Sequence, residues 1–297
     1  MHYGQNLSSA MYVRADSAGE AFRFVPSVIN DTVLTSEVFD TPNLKKYLER
    51  KLRAFFQPQM RMDGQVVGVE ALARLWDDRL PGASKVAPVA YINRAGLLPF
   101  MTLALVEQVL DVSAGALMNC GQPLPVSINL QAEQLLDVSL LDAITRALEA
   151  RGLVASGVTL EIVETGFHGD PDKLLRWLDS ARAMGYRLSL DDFGTGESNF
   201  HRLVSYPVQE WKLAREIVNG VAACKIKAVL VRKLLEMGAE LGLTTVVEGV
   251  DRMADLDWLC NAGYPDMVIQ GYVVARPMPA GRLAGWLSGR MPAVTHD

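Results

Sequence analysis

Short apolar runs with β-strand character alternate with longer helical segments along most of this chain, and this alternation constrains its fold more than any other feature. The predicted strands are Ala54–Gln59, Val66–Leu72, Leu124–Asn129, Val158–Val163, Arg187–Asp191, Gln209–Leu213, Thr244–Val247 and Met267–Gln270. Between them the spacing predicts helices over Phe100–Ala116, Ser139–Arg151, Pro171–Met184, Ile226–Leu241 and Met253–Ala262, and a brief helix within Ser198–Val204. Eight strands with mostly helical crossovers predict an α/β protein built as a (β/α)8, TIM-like barrel.

The two ends of this domain are marked by local signals. Asp40-Thr41-Pro42 offers a helix cap followed by proline in the first turn, so we place the domain over residues 43–290 and interpret residues 1–42 as an extension or a regulatory arm. A last helix is predicted over Ala280–Leu287, and residues 291–297 are predicted to be a loose tail. The first two strands are joined by a short turn with Asp63-Gly64, which predicts a hairpin and therefore an antiparallel first strand in a modified barrel.

Composition restricts the compartment and the partners. The net charge of −5 argues against a DNA or RNA polymer as partner, because polyanion binding relies on basic surfaces. The three cysteines, Cys120, Cys224 and Cys260, are odd in number and far apart, which is typical of a reducing cytosol, and we interpret each as a small buried hydrophobe. The N-terminus lacks the pattern of a signal peptide, and no uninterrupted apolar run approaches the ~20 residues of a membrane span. We therefore expect a cytoplasmic protein without membrane contact.

Charged and amide side chains occur at the carboxyl ends of nearly all the predicted strands. In a barrel of this kind those ends meet at one face, where active sites lie. The candidates are Glu70 and Arg74, Asn129, Glu161 and Glu164, Asp191 and Asp192, Lys212, Glu248 and Gln270. Each residue has an ordinary structural alternative, such as a helix start, a turn or a solvated rim. Together they predict a site, because charges near apolar strands must be paired or bind metal if they are buried.

The adjacent carboxylates Asp191 and Asp192 stand in the glycine-rich stretch Leu188–Gly196. Two carboxylates held close repel each other unless a metal ion or a shared proton lies between them. A helix N-cap or an Asx turn is the structural alternative for this pair. Carboxylates and an amide, with almost no nitrogen or sulfur ligands, favour Mg²⁺ or Mn²⁺ over zinc. Such a site with a lysine suits phosphodiester hydrolysis, in which two metal ions activate water and stabilise the leaving oxygen.

At this point the residues match a known family. Phe56-Gln57-Pro58 and the segment Glu70-Ala71-Leu72-Ala73-Arg74 resemble the first motifs of the EAL domain, a bacterial phosphodiesterase domain that linearises cyclic di-GMP. The later motifs follow in the family's order: Ser127-Ile128-Asn129-Leu130, Glu161-Ile162-Val163-Glu164, Asp191-Asp192-Phe193-Gly194-Thr195-Gly196, Lys212, Val247-Glu248-Gly249-Val250 and Gln270-Gly271-Tyr272. The ordered set covers some 240 residues, which makes the resemblance highly specific.

The resemblance implies a role for each matching position. Glu70, Asn129, Glu161 and Asp191 would hold one metal ion, and Asp191 would bridge to a second ion that also uses Asp192 and Glu248. Lys212, Glu248, Asp192 and Gln270 would be the catalytic group, with Lys212 and Glu248 as alternative bases. Substrate contacts would come from Gln57, Leu72, Arg74 and Pro277. Glu164 would anchor the loop Phe193–Asn199.

The resemblance also implies a fold, an activity and partners. It implies a barrel whose first strand is antiparallel, two Mg²⁺ or Mn²⁺ ions, cyclic di-GMP as the small-molecule ligand, and a homodimer formed through helices beside the loop after Asp192. A regulatory protein partner could bind through residues 1–42. The chain departs from the family's pattern at Ala214, where an acid is usual, and at Glu197, where an aromatic residue is common.

Three functions follow from these observations. The first is a metal-dependent phosphodiesterase that hydrolyses cyclic di-GMP to linear pGpG. The second is a catalytically weak or inactive EAL domain that acts as a cyclic di-GMP receptor or as a protein-interaction regulator, which the departures at Ala214 and Glu197 favour. The third is hydrolysis of a different phosphodiester by the same site. A cyclase signature is absent from the sequence, so synthesis of the dinucleotide is not expected.

Overall fold

A closed eight-stranded barrel forms the centre of the protein. The computed structural model describes residues 14–15, 22–23, 41–76, 84–86, 89–120, 122–163, 169–195, 199–264 and 266–289. The barrel strands are β1 Leu52–Arg61, β2 Val66–Trp76, β3 Val126–Gln131, β4 Val158–Val163, β5 Arg187–Phe193, β6 Glu210–Leu213, β7 Thr244–Val247 and β8 Val268–Ile269. A short strand at Ser84–Val86 pairs antiparallel with β2, and another at Met278–Pro279 pairs antiparallel with β1. Arg14–Ala15 pairs with Phe22–Arg23 in a separate two-stranded sheet.

Helices follow most of the strands. They are α1 Thr41–Lys51, α2 Val89–Arg94, α3 Leu98–Cys120, α4 Val138–Glu149, α5 Pro171–Ala183, α6 Asn199–Ser205, α7 Arg215–Val218, α8 Lys225–Glu240, α9 Met253–Ala262 and α10 Ala280–Ser288. Short 3₁₀ turns occupy Ala132–Leu136, Ala155–Gly157 and Val221–Ala223. Two helix starts follow directly from the sequence: Asp137 accepts from the Ser139 amide, and Asp170 precedes proline and accepts from the amides of Asp172 and Lys173.

The barrel is parallel except at its first strand. Neighbouring strands from β2 to β8 pair in parallel, and β1 closes the barrel by pairing antiparallel with both β2 and β8. The predicted barrel with an antiparallel first strand is therefore confirmed. The hairpin explains the reversal, because β1 and β2 are joined by a tight turn in which Gly64 has a φ of 89°.

Alternating side chains place apolar residues outside the barrel wall and polar residues inside it. In β4, Val158, Leu160 and Ile162 belong to the apolar core, whereas the intervening Thr159 and Glu161 are buried polar residues. Successive side chains of a strand point to opposite faces, so a wall buried on both sides gives two chemistries. This alternation therefore points carboxylates such as Glu161 into the barrel, while the other side chains of the same strand pack in the apolar core.

The element boundaries differ from the sequence expectations in a few places. Leu52 shares the helical spacing of α1, but the helix ends at Lys51 and Leu52 begins β1, where it pairs with Leu75 of β2 and its buried side chain packs in the same cluster as Leu48. The brief predicted helix in 198–204 is α6. The interpretation of the cysteines as buried residues is wrong for Cys260, which is exposed on α9, and Cys224 is only half-buried; both are free thiols.

Helix α3 is the longest helix among the described residues. Its segment Leu98–Ala116 is long and apolar enough to cross a membrane by length and composition, which the sequence inspection did not anticipate. Val106, Val109 and Leu110 of this helix are fully buried against the barrel core. A core helix meets the same length and composition test as a membrane span, so this finding is weak evidence for one.

Gly238 allows α8 to approach the barrel closely. A Cβ at this position would lie 3.0 Å from Trp211 Nε1 and would clash with Thr245 Oγ1, which accepts the 2.7 Å hydrogen bond from that indole. We expect Gly238→Ala to destabilise the fold by about 1–3 kcal/mol through overpacking. Gly285→Ala in α10 is the matched control, because none of the residues that the structure describes has a neighbouring atom within 4 Å of its added Cβ. Urea unfolding measures both; equal stabilities for the two variants would contradict this packing.

Candidate active site

The candidate site lies at the carboxyl ends of the parallel strands, as predicted from the sequence. β2, β3 and β4 bring Glu70, Asn129 and Glu161 to this face, and β5 brings Asp191 and Asp192. The remaining members are Lys212 from β6, Glu248 directly after β7 and Gln270 directly after β8. The structure thus brings together the predicted metal-ligand set and the predicted catalytic set.

Lys212 is the centre of this arrangement. Its side chain is buried, with 1% of its surface exposed. Its Nζ lies 2.7 Å from Glu248 Oε1, 2.9 Å from Glu161 Oε2, 3.2 Å from Asp191 Oδ1 and 3.3 Å from Glu70 Oε2. One ammonium group therefore contacts four carboxylates that come from four different strand ends.

Amide side chains fix the orientation of Glu70. Asn129 Nδ2 donates to Glu70 Oε1 at 2.7 Å, and Gln270 Nε2 donates to Glu70 Oε2 at 2.5 Å. Gln59 Nε2 in turn donates to Gln270 Oε1 at 2.9 Å. The first bond uses the nitrogen of Asn129, so its carbonyl oxygen can serve as a metal ligand. Buried amides of this kind hold a carboxylate in one position.

A β-bulge brings the two adjacent aspartates to the same site. The pairing of β5 with β6 is regular up to Leu190 and resumes at Phe193, and Asp192 has a φ of 52°. In a regular strand Asp191 and Asp192 would point to opposite faces, whereas the bulge redirects one of them. Ligand oxygens of Asp191, Asp192 and Glu248 consequently lie within 4.8 Å of one another. The pair is part of the strand and its bulge, not the N-cap of a helix.

The charges of the site shift the pKa values of Lys212 and Glu70, which form a buried ion pair. Burial by itself would lower the pKa of Lys212, but the four surrounding carboxylates raise it well above its ordinary value. Burial would raise the pKa of Glu70, yet the charge of Lys212 and the hydrogen bonds from Gln270 and Asn129 bring that pKa below its ordinary value. Lys212 is therefore an ammonium and Glu70 a carboxylate at neutral pH.

The other carboxylates show the opposite shift. Burial, together with the charge of Glu70, raises the pKa of Glu161 well above its ordinary value. Burial also raises the pKa of Glu248 to about 8 and that of Asp192 to about 6, and the charge of Asp191 adds to both. At these three carboxylates, burial and the neighbouring negative charges together outweigh the charge of Lys212.

The donor set fits divalent cations. Five carboxylates and one ammonium leave an excess of four negative charges when all are ionised, which is the charge that two divalent ions supply. Glu161 Oε1 is buried and has no hydrogen-bond partner among the described residues, so an oxygen inside the site is available as a ligand. Carboxylate and amide oxygens are the ligands of Mg²⁺ and Mn²⁺.

A cleft of about 290 Å³ opens above these residues. It is lined by the predicted substrate residues Gln57, Leu72, Arg74 and Pro277, together with Arg215, Asp251 and Tyr272 on its rim. A larger cavity of about 610 Å³ lies at the opposite end of the barrel and is lined by Thr159, Arg187 and Glu210. The smaller cleft is the candidate active site, because the carboxylates and Lys212 form its floor.

Some positions behave differently from the sequence expectations. Glu164, the predicted loop anchor, and Glu197 lie outside the described residues. Gln59 was not singled out, although its position two residues after Gln57 on a strand places both side chains on the same face. Ala214 is fully buried and supplies no carboxylate after Lys212. Arg215 and Asp251 form a 2.8 Å ion pair on the cleft rim that the sequence pattern did not reveal.

The chain is similar to known proteins over most of its length. The family model described as the EAL domain matches residues 43–277. The cyclic di-GMP phosphodiesterase RocR of Pseudomonas aeruginosa is 31% identical over 241 residues, which are 80% of this chain and 60% of that protein. The oxygen sensor protein DosP of Escherichia coli is 30% identical over 286 residues, 95% of this chain and 35% of that protein. The chain thus spans only part of these curated relatives.

A solved structure is similar over nearly its whole length. The phosphodiesterase PaMucR, in a complex with c-di-GMP, is 30% identical to this chain and has a TM-score of 0.72. The match covers 82% of this chain and 98% of the PaMucR chain.

Proposed function

The chain belongs to the EAL domain family, and on that basis we propose that it hydrolyses cyclic di-GMP to linear pGpG with two Mg²⁺ or Mn²⁺ ions. The observation that carries this proposal is the cluster of five carboxylates around the buried Lys212, whose charge excess matches two divalent ions. The bound form of PaMucR supports the choice of ligand, because that protein is 30% identical to this chain.

The residues divide into two overlapping ligand groups. Glu70, Asn129, Glu161 and Asp191 would hold one ion, and Asp191, Asp192 and Glu248 would hold the other. Ions bound there would activate water and offset the charge of a phosphodiester during in-line displacement. Asp191 is common to both groups, and the bulge at Asp192 makes this sharing geometrically accessible.

Besides the metal ions, side chains of the protein would orient the metal ligands and stabilise the charge of the substrate. Four carboxylates surround Lys212 and raise its pKa in the metal-free site, so we favour the role of a positive charge beside the reacting phosphate over that of the base. Glu248 is then the favoured group to accept the proton of the attacking water. Gln59 and Gln270 hold Glu70 in place, and Arg74 on β2 contributes a cation to the cleft wall.

A receptor without turnover is the second candidate function. It is favoured by Ala214, which is buried and offers no carboxylate where family members usually carry an acid. Calorimetry with cyclic di-GMP, combined with product analysis by mass spectrometry, separates the two functions. Binding followed by release of pGpG supports the phosphodiesterase. Tight binding with no product would establish the receptor, and absence of binding would contradict both.

We further propose a homodimer formed by the exposed apolar side chains beside the loop after β5. Phe200 and Val204 lie one turn apart on α6 and are 60% and 88% exposed. We expect Val204→Lys to shift the sedimentation coefficient from dimer to monomer, because a buried ammonium at an interface is costly. Val154→Lys, at an exposed valine before β4, is the control that leaves the coefficient unchanged. A wild-type protein that sediments as a monomer would refute the dimer.

A further inference from the structure

Arg215 is a cation on the cleft rim that the proposed chemistry does not use. It is the first residue of α7, directly after β6, and it lines the same cleft as Glu248 and Arg74. Its side chain is 60% exposed, so the guanidinium group is accessible from the cleft. Exposed ion pairs add little stability, so folding alone does not explain why an arginine is held at this point.

The stem of Arg215 is fixed by Gly249. Gly249 follows Glu248 and has a φ of 63°, which favours glycine. A Cβ on this residue would lie 2.5 Å from the Arg215 Cβ and would clash with its Cγ. The aliphatic part of Arg215 therefore lies directly against the backbone that follows a predicted metal ligand, and the missing Cβ is what makes room for it.

The head of Arg215 is fixed by Asp251. One terminal guanidinium nitrogen lies 2.8 Å from Asp251 Oδ2, and that carboxylate is only 13% exposed. Asp251 Oδ1 accepts the backbone N–H of Tyr272 at 3.0 Å, which ties the pair to the loop after β8. The arginine is thus held at both ends, so its side chain loses little further entropy when it binds a ligand.

The chemistry of the cleft indicates what this arginine binds. The acidic floor would bind one phosphodiester with the help of metal ions, and the walls carry the cations Arg74 and Arg215. A guanidinium group has five N–H donors in a planar fork that suits phosphate oxygens, and the bond to Asp251 uses one edge of it. A cyclic dinucleotide has two phosphodiesters, so one of them remains to be bound away from the metal ions.

We propose that Arg215 binds the phosphodiester of cyclic di-GMP that is not cleaved, and this inference rests on the proposed function. The residue is a substrate-binding residue that selects a cyclic dinucleotide over a ligand with a single phosphodiester. Asp251 is the positioning residue that holds it, since it connects Arg215 to the loop after β8.

The test measures dissociation constants by calorimetry with Ca²⁺, which keeps turnover low. The probes are cyclic di-GMP and linear GpG, which has both guanines but one phosphodiester. We expect Arg215→Ala to weaken cyclic di-GMP binding by about 10-fold or more, and to weaken GpG binding much less. Arg252→Ala is the matched control, because Arg252 is an exposed arginine next to Asp251 in the chain and is not among the residues that line the cleft. Thermal unfolding verifies that the variants fold.

The outcomes separate this inference from the proposed function. Wild-type protein that fails to bind cyclic di-GMP overturns both. Wild-type binding that Arg215→Ala leaves unchanged overturns the role of Arg215 alone. An equal loss for cyclic di-GMP and GpG would mean that Arg215 contacts a group that both ligands have, which overturns its assignment to the second phosphodiester. A loss confined largely to the cyclic ligand supports it.

Discussion

Replacing Lys212 with methionine is expected to destabilise the metal-free protein by about 3–5 kcal/mol, because it leaves two buried and two half-buried carboxylates without their shared ammonium. We further expect Mn²⁺ to relieve part of this loss, since divalent ions supply positive charge at the same place. Cyclic di-GMP hydrolysis should fall by more than about 100-fold even with Mn²⁺ present, because the fixed cation beside the reacting phosphate is gone.

Urea unfolding in EDTA and in Mn²⁺ measures the stability effect. Lys233→Met is the matched control: Lys233 pairs with Glu236 at 2.6 Å on the exposed face of α8, and we expect its loss to leave the unfolding free energy unchanged. If Lys212→Met were as stable as wild type in EDTA, the carboxylates would not depend on the lysine, and the charge argument for the site would be contradicted.

Replacing Asp191 with asparagine is expected to abolish activity without destabilising the fold. Asp191 belongs to both proposed ligand groups, and removing a carboxylate ligand should cost more than the roughly 10–100-fold lost when a supporting residue is changed. The metal-free variant should be at least as stable as wild type, because the substitution removes one charge from an excess of negative charge.

Asp179→Asn, on the exposed face of α5, is the control for this substitution and should leave both quantities unchanged. The rate of pGpG release and the urea midpoint in EDTA are the two readouts. The opposite signs expected for the stabilities of Lys212→Met and Asp191→Asn distinguish an electrostatic origin from general damage. A strongly destabilised Asp191→Asn variant would show that the aspartate is structural.

The barrel and most of the site could be predicted from the sequence. Hydrophobic alternation locates the strands, and the polar residue at each strand end is visible in the chain, as Glu161 in β4 and Lys212 in β6 illustrate. Parallel strands carry these ends to one face, so the neighbourhood follows from the topology. The ordered family motifs further indicated which of these residues would bind the metal ions.

The contacts that depend on backbone detail could not be predicted. The bulge at Asp192 changes which way a side chain points, and no residue pattern marks its φ of 52°. The ion pair of Arg215 with Asp251 joins loops that are far apart in the chain, and it depends on the missing Cβ at Gly249. Such contacts arise from tertiary packing, which a periodicity of two or 3.6 does not record.

The dependence of cyclic di-GMP hydrolysis on Mn²⁺ tests the central claim most directly. The wild-type protein is stripped of metal with EDTA and then titrated with Mn²⁺, while pGpG is quantified by mass spectrometry. We expect no product without metal and a rate that rises more steeply than first order in Mn²⁺, because two ions fill the excess of four negative charges. Absence of pGpG at every Mn²⁺ concentration, or a rate that does not depend on Mn²⁺, would contradict the proposed two-metal phosphodiesterase.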